Sequence, residues 1–293
     1  MDSNICSNFL LVKTNFPDEL SNGKYQFNNE YFKKYCTSGC NDPFEKINAG
    51  CLYFFDEFFG TSDLFKSVAK SNTNIVDYII IWLSYKLSLM ENELKETLGF
   101  FYSIYIKNGD KYRNTIANIS EYNSYMELIS KNHDLTNVNM NKNIISELYD
   151  AFKLLCEMYT EFNENTSNCT KCSGKAGQFV KKYEKLKNES GITTNSSYSK
   201  ALCTLSTDYD NLKNKCKDFT LLPEITTKCS AQMSVVTSSS SIANKLFIVL
   251  SIFGAIGIFL GISYKYSLFG FRKRFQKQKL REKLKNIKKR INH

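Results

Sequence analysis

Residues 144–162 read IISELYDAFKLLCEMYTEF, and their spacing sets the fold class. Ile145, Leu148, Phe152, Leu155, Tyr159 and Phe162 recur at three- and four-residue steps. That step returns side chains to one face of an α-helix of about 3.6 residues per turn, so the stretch presents an apolar stripe to a core and a charged face to water.

The same helical patterning extends over most of the chain. The three prolines stand at 17, 43 and 223, which leaves residues 44–222 without a helix breaker of that kind. Asp42-Pro43 supplies a cap and an N1 proline for a helix that buries Ile47, Leu52, Phe54, Phe55, Phe58 and Phe59. Ile75–Met90 is apolar nearly all round, which predicts a central helix. Further helices are expected at 94–107, 121–131, 175–188 and 197–215, and hairpin signals flanked by β-branched alternation are absent. The expectation is an all-α helical bundle over residues 1–225, held by disulfides.

Beyond it the composition changes. Residues 226–243 form a Ser/Thr-rich stalk. Within 244–264, Leu246 to Tyr264 reads LFIVLSIFGAIGIFLGISY without a charge, bracketed by Lys245 and Lys265. Nineteen helical residues cover roughly 28 Å at about 1.5 Å each, close to the hydrocarbon thickness of a bilayer, so one transmembrane helix is expected. Val76–Leu83 is too short to be a second span and Asp77 interrupts it. The sequence at the N-terminus, MDSNICSNFLLVKTNF, lacks the basic region, apolar core and cleavage site of a conventional signal peptide.

The 293 residues hold 39 Lys+Arg against 29 Asp+Glu, and the excess is concentrated at one end. Residues 265–293 carry Lys265, Arg272, Lys273, Arg274, Lys277, Lys279, Arg281, Lys283, Lys285, Lys288, Lys289 and Arg290 against Glu282 alone. That is a net +11, which leaves −1 for everything before it. A nucleic-acid-binding domain would spread its basic residues over a folded face, and this body does not. The positive flank belongs on the cytosolic side of a membrane, which puts the body outside or in a lumen. The competing topology, a tail anchor with a cytosolic body, would carry twelve basic residues across the bilayer. Leu268, Phe271, Phe275, Leu280, Leu284, Ile287 and Ile291 run among those charges, the pattern of a basic amphipathic helix suited to anionic lipid headgroups. A solvated flank that only sets topology, or a site for acidic protein partners, uses the same charges. Gly257 and Gly261 form a GxxxG pair that permits close helix approach and a homo-oligomer.

All ten cysteines precede the apolar run, as a disulfide framework in an oxidising compartment requires. Cys6, Cys36, Cys40 and Cys51 form an early group; Cys169, Cys172, Cys203, Cys216 and Cys229 are candidates in a late one, and pairing is expected within groups. Cys156, on the apolar helix face, fits a free core thiol equally well. Cys169-Thr-Lys-Cys172 is the one C-x-x-C, and it lacks both a thioredoxin-like context and a second close ligand pair for zinc. Sequons stand at Asn118, Asn165, Asn168, Asn188 and Asn195 in an Asn-rich chain. Of the two histidines, His133 reads as a solvated loop residue and His293 ends the chain. Phosphate-loop, dinucleotide, zincin and nucleophile-elbow motifs are absent, so no catalytic, cofactor or metal residues are expected.

Several stretches together resemble one family. Tyr78–Tyr85 (YIIIWLSY), Lys34-Tyr-Cys36, Ile47–Phe59 (INAGCLYFFDEFF), Phe269–Phe275 (FGFRKRF) and Leu280–Arg290 (LREKLKNIKKR) are similar to the Plasmodium interspersed repeat (PIR) variant antigens of malaria parasites, in their rodent-parasite branch. The 34 Lys, 30 Asn and only 5 Arg agree with an A/T-rich genome. The resemblance implies a variant surface antigen exported to the infected red cell. Antigenic variation and immune evasion would follow, with antibodies or a host-cell receptor as partners of the body. It carries no catalytic residue or cofactor. The alternative is an internal membrane scaffold, at the parasite vacuole or host-cell membranes, whose basic tail recruits partners.

Overall fold

The amphipathic stretch that opened the sequence reading is the helix on which the body is assembled. In the computed structural model, described over residues 1–225 apart from 91–96, 117–121, 136–140, 163, 194 and 218–221, it runs as Lys142–Glu161 (α9). Asn141 caps it by accepting from the backbone N–H groups of Asn143 and Ile144. Its apolar face meets Ser3–Asn15 (α1) and Ile75–Ser88 (α5), and Ser173–Lys187 (α10) packs along it as well.

α5 is the central helix. It is buried on every side, and Pro43–Phe59 (α3), α9 and Ser196–Lys215 (α12) pack around it. Asp42 and Pro43 begin α3 as expected, with the Asp42 side chain accepting from Glu45 N–H at 3.0 Å. α3 then delivers a run of rings to the core. Phe54 stacks on Phe9 at 4.3 Å and meets the edge of Trp82 at 5.1 Å, and Phe55 packs on Tyr125 of Tyr125–Asn132 (α8). Offset and edge-to-face pairs of this kind add to area burial.

Shorter helices finish the body: Asn29–Phe32 (α2), Ser62–Ser67 (α4), Thr97–Phe101 (α6), Asp110–Arg113 (α7) and Ser190–Thr193 (α11). The helix expected at 94–107 begins, where described, at Thr97 and loosens into a π-turn over Tyr102–Ile106; the one expected at 121–131 is α8. One departure from the all-helical expectation is a small antiparallel hairpin, Leu20–Ser21 (β1) with Lys24–Tyr25 (β2). Asn22 and Gly23 turn it with φ of 52° and 70°, the two positive angles of a type I′ turn.

The chain divides into two units, Met1–Met233 and Ser234–His293. The second, with the apolar run, Gly257, Gly261 and the basic tail, lies outside the described residues, as does the whole of the 226–243 stalk. Among the described residues no helix is long and apolar enough to cross a membrane.

Candidate functional site

The cysteines expected to tie the body together are distributed by helix packing. α1 lies along α9, with Phe9 edge-on to Phe152 at 4.8 Å. One turn away on the same faces, Cys6 is bonded to Cys156 with 5.0 Å between Cα atoms. This decides Cys156, which the sequence left open between cystine and free thiol, and corrects the expectation of pairing within groups, because the bond crosses from the early group to the late one. Spacing alone could not show that α1 and α9 are neighbours. Cys36 pairs with Cys40 around a turn that carries Gly39 and Cys40 at positive φ. Cys169 pairs with Cys216, joining the loop after α9 to the end of α12 across 5.7 Å. Cys203 is disulfide-bonded too, and Cys229 lies outside the described residues.

Cys51 and Cys172, both expected among the half-cystines, are instead free and buried. Cys51 stands on α3 beside Tyr112 in the aromatic core, where burial pushes its thiol up to about 12. Cys172 turns its thiol toward the Met158 carbonyl at 3.4 Å, and its C-x-x-C partner is committed to Cys216. Among the described residues no three His, Cys, Asp or Glu side chains come together as a metal site.

α5 carries polar groups into the core, each secured to a different element. Asp77 is fully buried, 2.7 Å from His133 Nε2, 3.5 Å from Lys200 Nζ, and bonded by the Thr204 hydroxyl. Burial alone would raise its pKa; His133, Lys200 and Thr204 outweigh burial and hold the carboxyl below its usual range. His133 is therefore no solvated loop residue but a core residue, 4% exposed at the end of α8. Tyr78, next along α5, donates to Asp208 of α12. At the far end, Lys86 Nζ donates to the carbonyls of Phe16 at 2.9 Å and Pro17 at 2.7 Å, and sits 3.4 Å from Asp18. Tyr149 of α9 donates to the same Asp18 carboxylate at 2.9 Å. Burial pushes the Lys86 ammonium down to about 8 against the pull of Asp18. Each charge is matched by fixed partners, so the column holds α1, α8, α9 and α12 on α5. The sequence signal was available: Asp77 and Lys86 are the charges of an otherwise uncharged 75–90 run, and a charge at such a position needs a buried partner.

Among the described residues, two of the surface concavities are lined by ion pairs. One, of about 240 Å³, is lined by Lys34, Tyr35, Asp56, Lys111 and Tyr125 among others. Lys34, Tyr35 and Tyr125 all bond Asp56, which they hold below the usual carboxylate range against the opposing effect of burial. The other, of about 210 Å³, lies where the start of α9 meets the end of α10, with Glu147 bonded to Lys182 and Lys185 nearby. Both fall below the roughly 300–1,000 Å³ typical of small-molecule clefts. The sequon amides at Asn168, Asn188 and Asn195 are engaged in local backbone hydrogen bonds, Asn195 as the cap of α12.

The family model described as Plasmodium variant antigen protein Cir/Yir/Bir matches residues 6–265. A solved structure described as a Plasmodium PIR protein ectodomain is similar at 29% identity with a TM-score of 0.52, covering 77% of this chain and 99% of that one. No curated protein matches.

Proposed function

Because the chain belongs to the Plasmodium variant antigen family Cir/Yir/Bir, we propose that it is a variant surface antigen whose helical body is displayed outside a membrane of the infected red cell. The observation that carries this reading is the extent of the family match, from residue 6 to residue 265, which takes in the body, the Ser/Thr-rich stretch and the apolar run together. Disulfides that join distant parts of the body suit the oxidising side of such a membrane. In this reading 246–264 spans the bilayer, the 265–293 tail lies on the cytosolic leaflet against anionic lipids, and the exposed helical surface meets antibodies or a host-cell receptor. Antigenic variation and immune evasion are the biological role. The chemistry is binding, with no catalytic step.

Protease shaving of intact infected cells tests display directly. Loss of the body with retention of a tail fragment supports it. A body that remains whole until the cells are permeabilised favours the internal scaffold. For the tail, a synthetic 265–293 peptide is titrated with neutral and anionic vesicles. Helix induction on anionic vesicles alone, lost when Phe271, Phe275 and Leu284 become Ser, is the expected result; no binding at physiological salt rejects lipid docking.

A further inference from the structure

Cys172 is a free thiol three residues from a disulfide, and the backbone between them is wound in a way that matters. Thr170–Cys172 form a 3₁₀ turn closed by the Cys172 N–H on the Cys169 carbonyl at 2.8 Å. Side chains at i and i+3 of such a turn eclipse one another, and one turn rises about 6 Å. That rise lies inside the roughly 4.4–6.8 Å between Cα atoms that a disulfide bridges. Both residues are buried, at 2% and 0% exposure, so each sulfur is shielded from outside reagents, and the Cys172 thiol, resting on the Met158 carbonyl, needs only a side-chain rotation to leave that bond.

We propose that Cys169, Cys172 and Cys216 form an internal thiol–disulfide exchange site, in which Cys169 is bonded alternately to Cys216 and to Cys172. Cys172 gives up its proton, and its thiolate attacks the Cys169 sulfur. The Cys169–Cys216 bond breaks as the Cys169–Cys172 bond forms, and Cys216 leaves as a thiolate that takes up a proton. One disulfide and one thiol are present before and after, so no oxidant or reductant is consumed. The N-cap position of Cys172 on α10 favours its thiolate through the aligned peptide dipoles. Burial and Glu161 favour the thiol, with Lys175 opposing them, which keeps the resting pairing in place.

The two pairings differ in what they fasten. In the first, the end of α12 is covalently tied to the loop after α9. In the second, Cys216 is free, and the described chain beyond it is held by bonds such as Lys217 N–H to the Ser167 carbonyl at 2.9 Å and Tyr209 to the Pro223 carbonyl at 2.8 Å. The site thus sets how firmly the C-terminal end of the body is attached, whatever membrane the protein occupies.

The test is disulfide mapping of the full-length protein in detergent, without added thiol. Samples held at pH 7 and pH 9 are quenched in acid, unfolded, alkylated and digested for mass spectrometry. The expected result is a looped Cys169–Cys172 peptide together with alkylated Cys216. Its rate of appearance should rise about tenfold per pH unit while the attacking thiol remains protonated, as thiolate attack requires. Cys51 serves as the control thiol, alkylated to the same extent at both pH values. Absence of the looped peptide after a day at pH 9 overturns the proposal, and so does equal alkylation of Cys216 in Cys172→Ser. The wild-type peptide map decides the matter even where that variant fails to fold.

Discussion

Lys86 shows what a single residue in the core costs and what it accomplishes. It is fully buried among Phe16, Tyr25 and Trp82, with its ammonium 4.3 Å from the Phe16 ring. Burial lowers its pKa to about 8, while in the unfolded chain a lysine titrates near 10.4. Between those values the unfolded chain holds this proton and the folded one does not, so the contribution of Lys86 to stability rises with pH. At about 1.36 kcal/mol per unit, the rise from pH 7 to pH 10 is about 2 kcal/mol. Cys51 and the buried tyrosines pull stability the other way over the same range, so the effect is read as a difference: chemical denaturation should show the wild type gaining about 2 kcal/mol on Lys86→Met between pH 7 and pH 10. In both proteins the total stability falls as the pH approaches 10, because Cys51 and buried tyrosines such as Tyr25, Tyr78 and Tyr149 keep their protons longer when folded than when unfolded. The sequence marked Asp77 only as an interruption and His133 as a loop residue. Both judgements lacked the third dimension, since the two residues are 56 apart in the chain and meet because α8 packs on α5.

At the scale of elements, Gly50 is what lets α3 and α5 approach. A Cβ built there would stand 2.6 Å from Cη2 of Trp82 and 3.1 Å from its Cζ2. Alanine favours a helix interior over glycine by about 1 kcal/mol, but overpacking a close crossing costs about 1–3 kcal/mol, so packing wins. Gly50→Ala should lower stability by up to about 2 kcal/mol, read as a lower urea midpoint from the fluorescence of Trp82, the chain's one tryptophan. A gain in stability would mean that the ring moves aside freely. The long helices were legible because each keeps its apolar residues on a 3.6-residue stripe over four or more turns or, like α5, is apolar throughout. α1 and the hairpin were not recognised. In the sequence α1 reads as a leader-like stretch with only a weak apolar stripe, although Asp2 caps it by accepting from Ile5 N–H at 3.0 Å. The hairpin strands are two residues each, too short for any alternation, so the Asn22-Gly23 pair was the only available signal.

For the whole molecule, the cystines rank by the loops they close. Cys6–Cys156 spans 150 residues, Cys169–Cys216 spans 47 and Cys36–Cys40 spans 4. Loop-closure entropy assigns them about 5, 4 and 2 kcal/mol respectively. Paired Cys→Ser variants compared by denaturant midpoint under non-reducing conditions should fall in that order. Equal losses would show that local packing around each bridge outweighs chain entropy. That the cysteines belong to a disulfide framework could be read from their placement before the apolar run. Which ones pair could not, because pairing is decided by which helix lies against which. The same limit applies to the core, whose ring contacts join α1, α3, α5 and α9 across 140 residues of sequence.

The two large covalent loops also govern how the body answers to mechanical load. Tension applied between Cys6 and Cys216 runs through the Cys6–Cys156 bond, along the chain to Cys169, and out through the Cys169–Cys216 bond. Only the thirteen-residue step from Cys156 to Cys169 can lengthen, to an end-to-end span of at most about 45 Å at roughly 3.5 Å per residue. Everything inside the loops, including the whole of α3, α5 and α12, is sheltered from extension. A pull strong enough to unravel α9's last turn would leave the exposed face of the remaining body in its native shape.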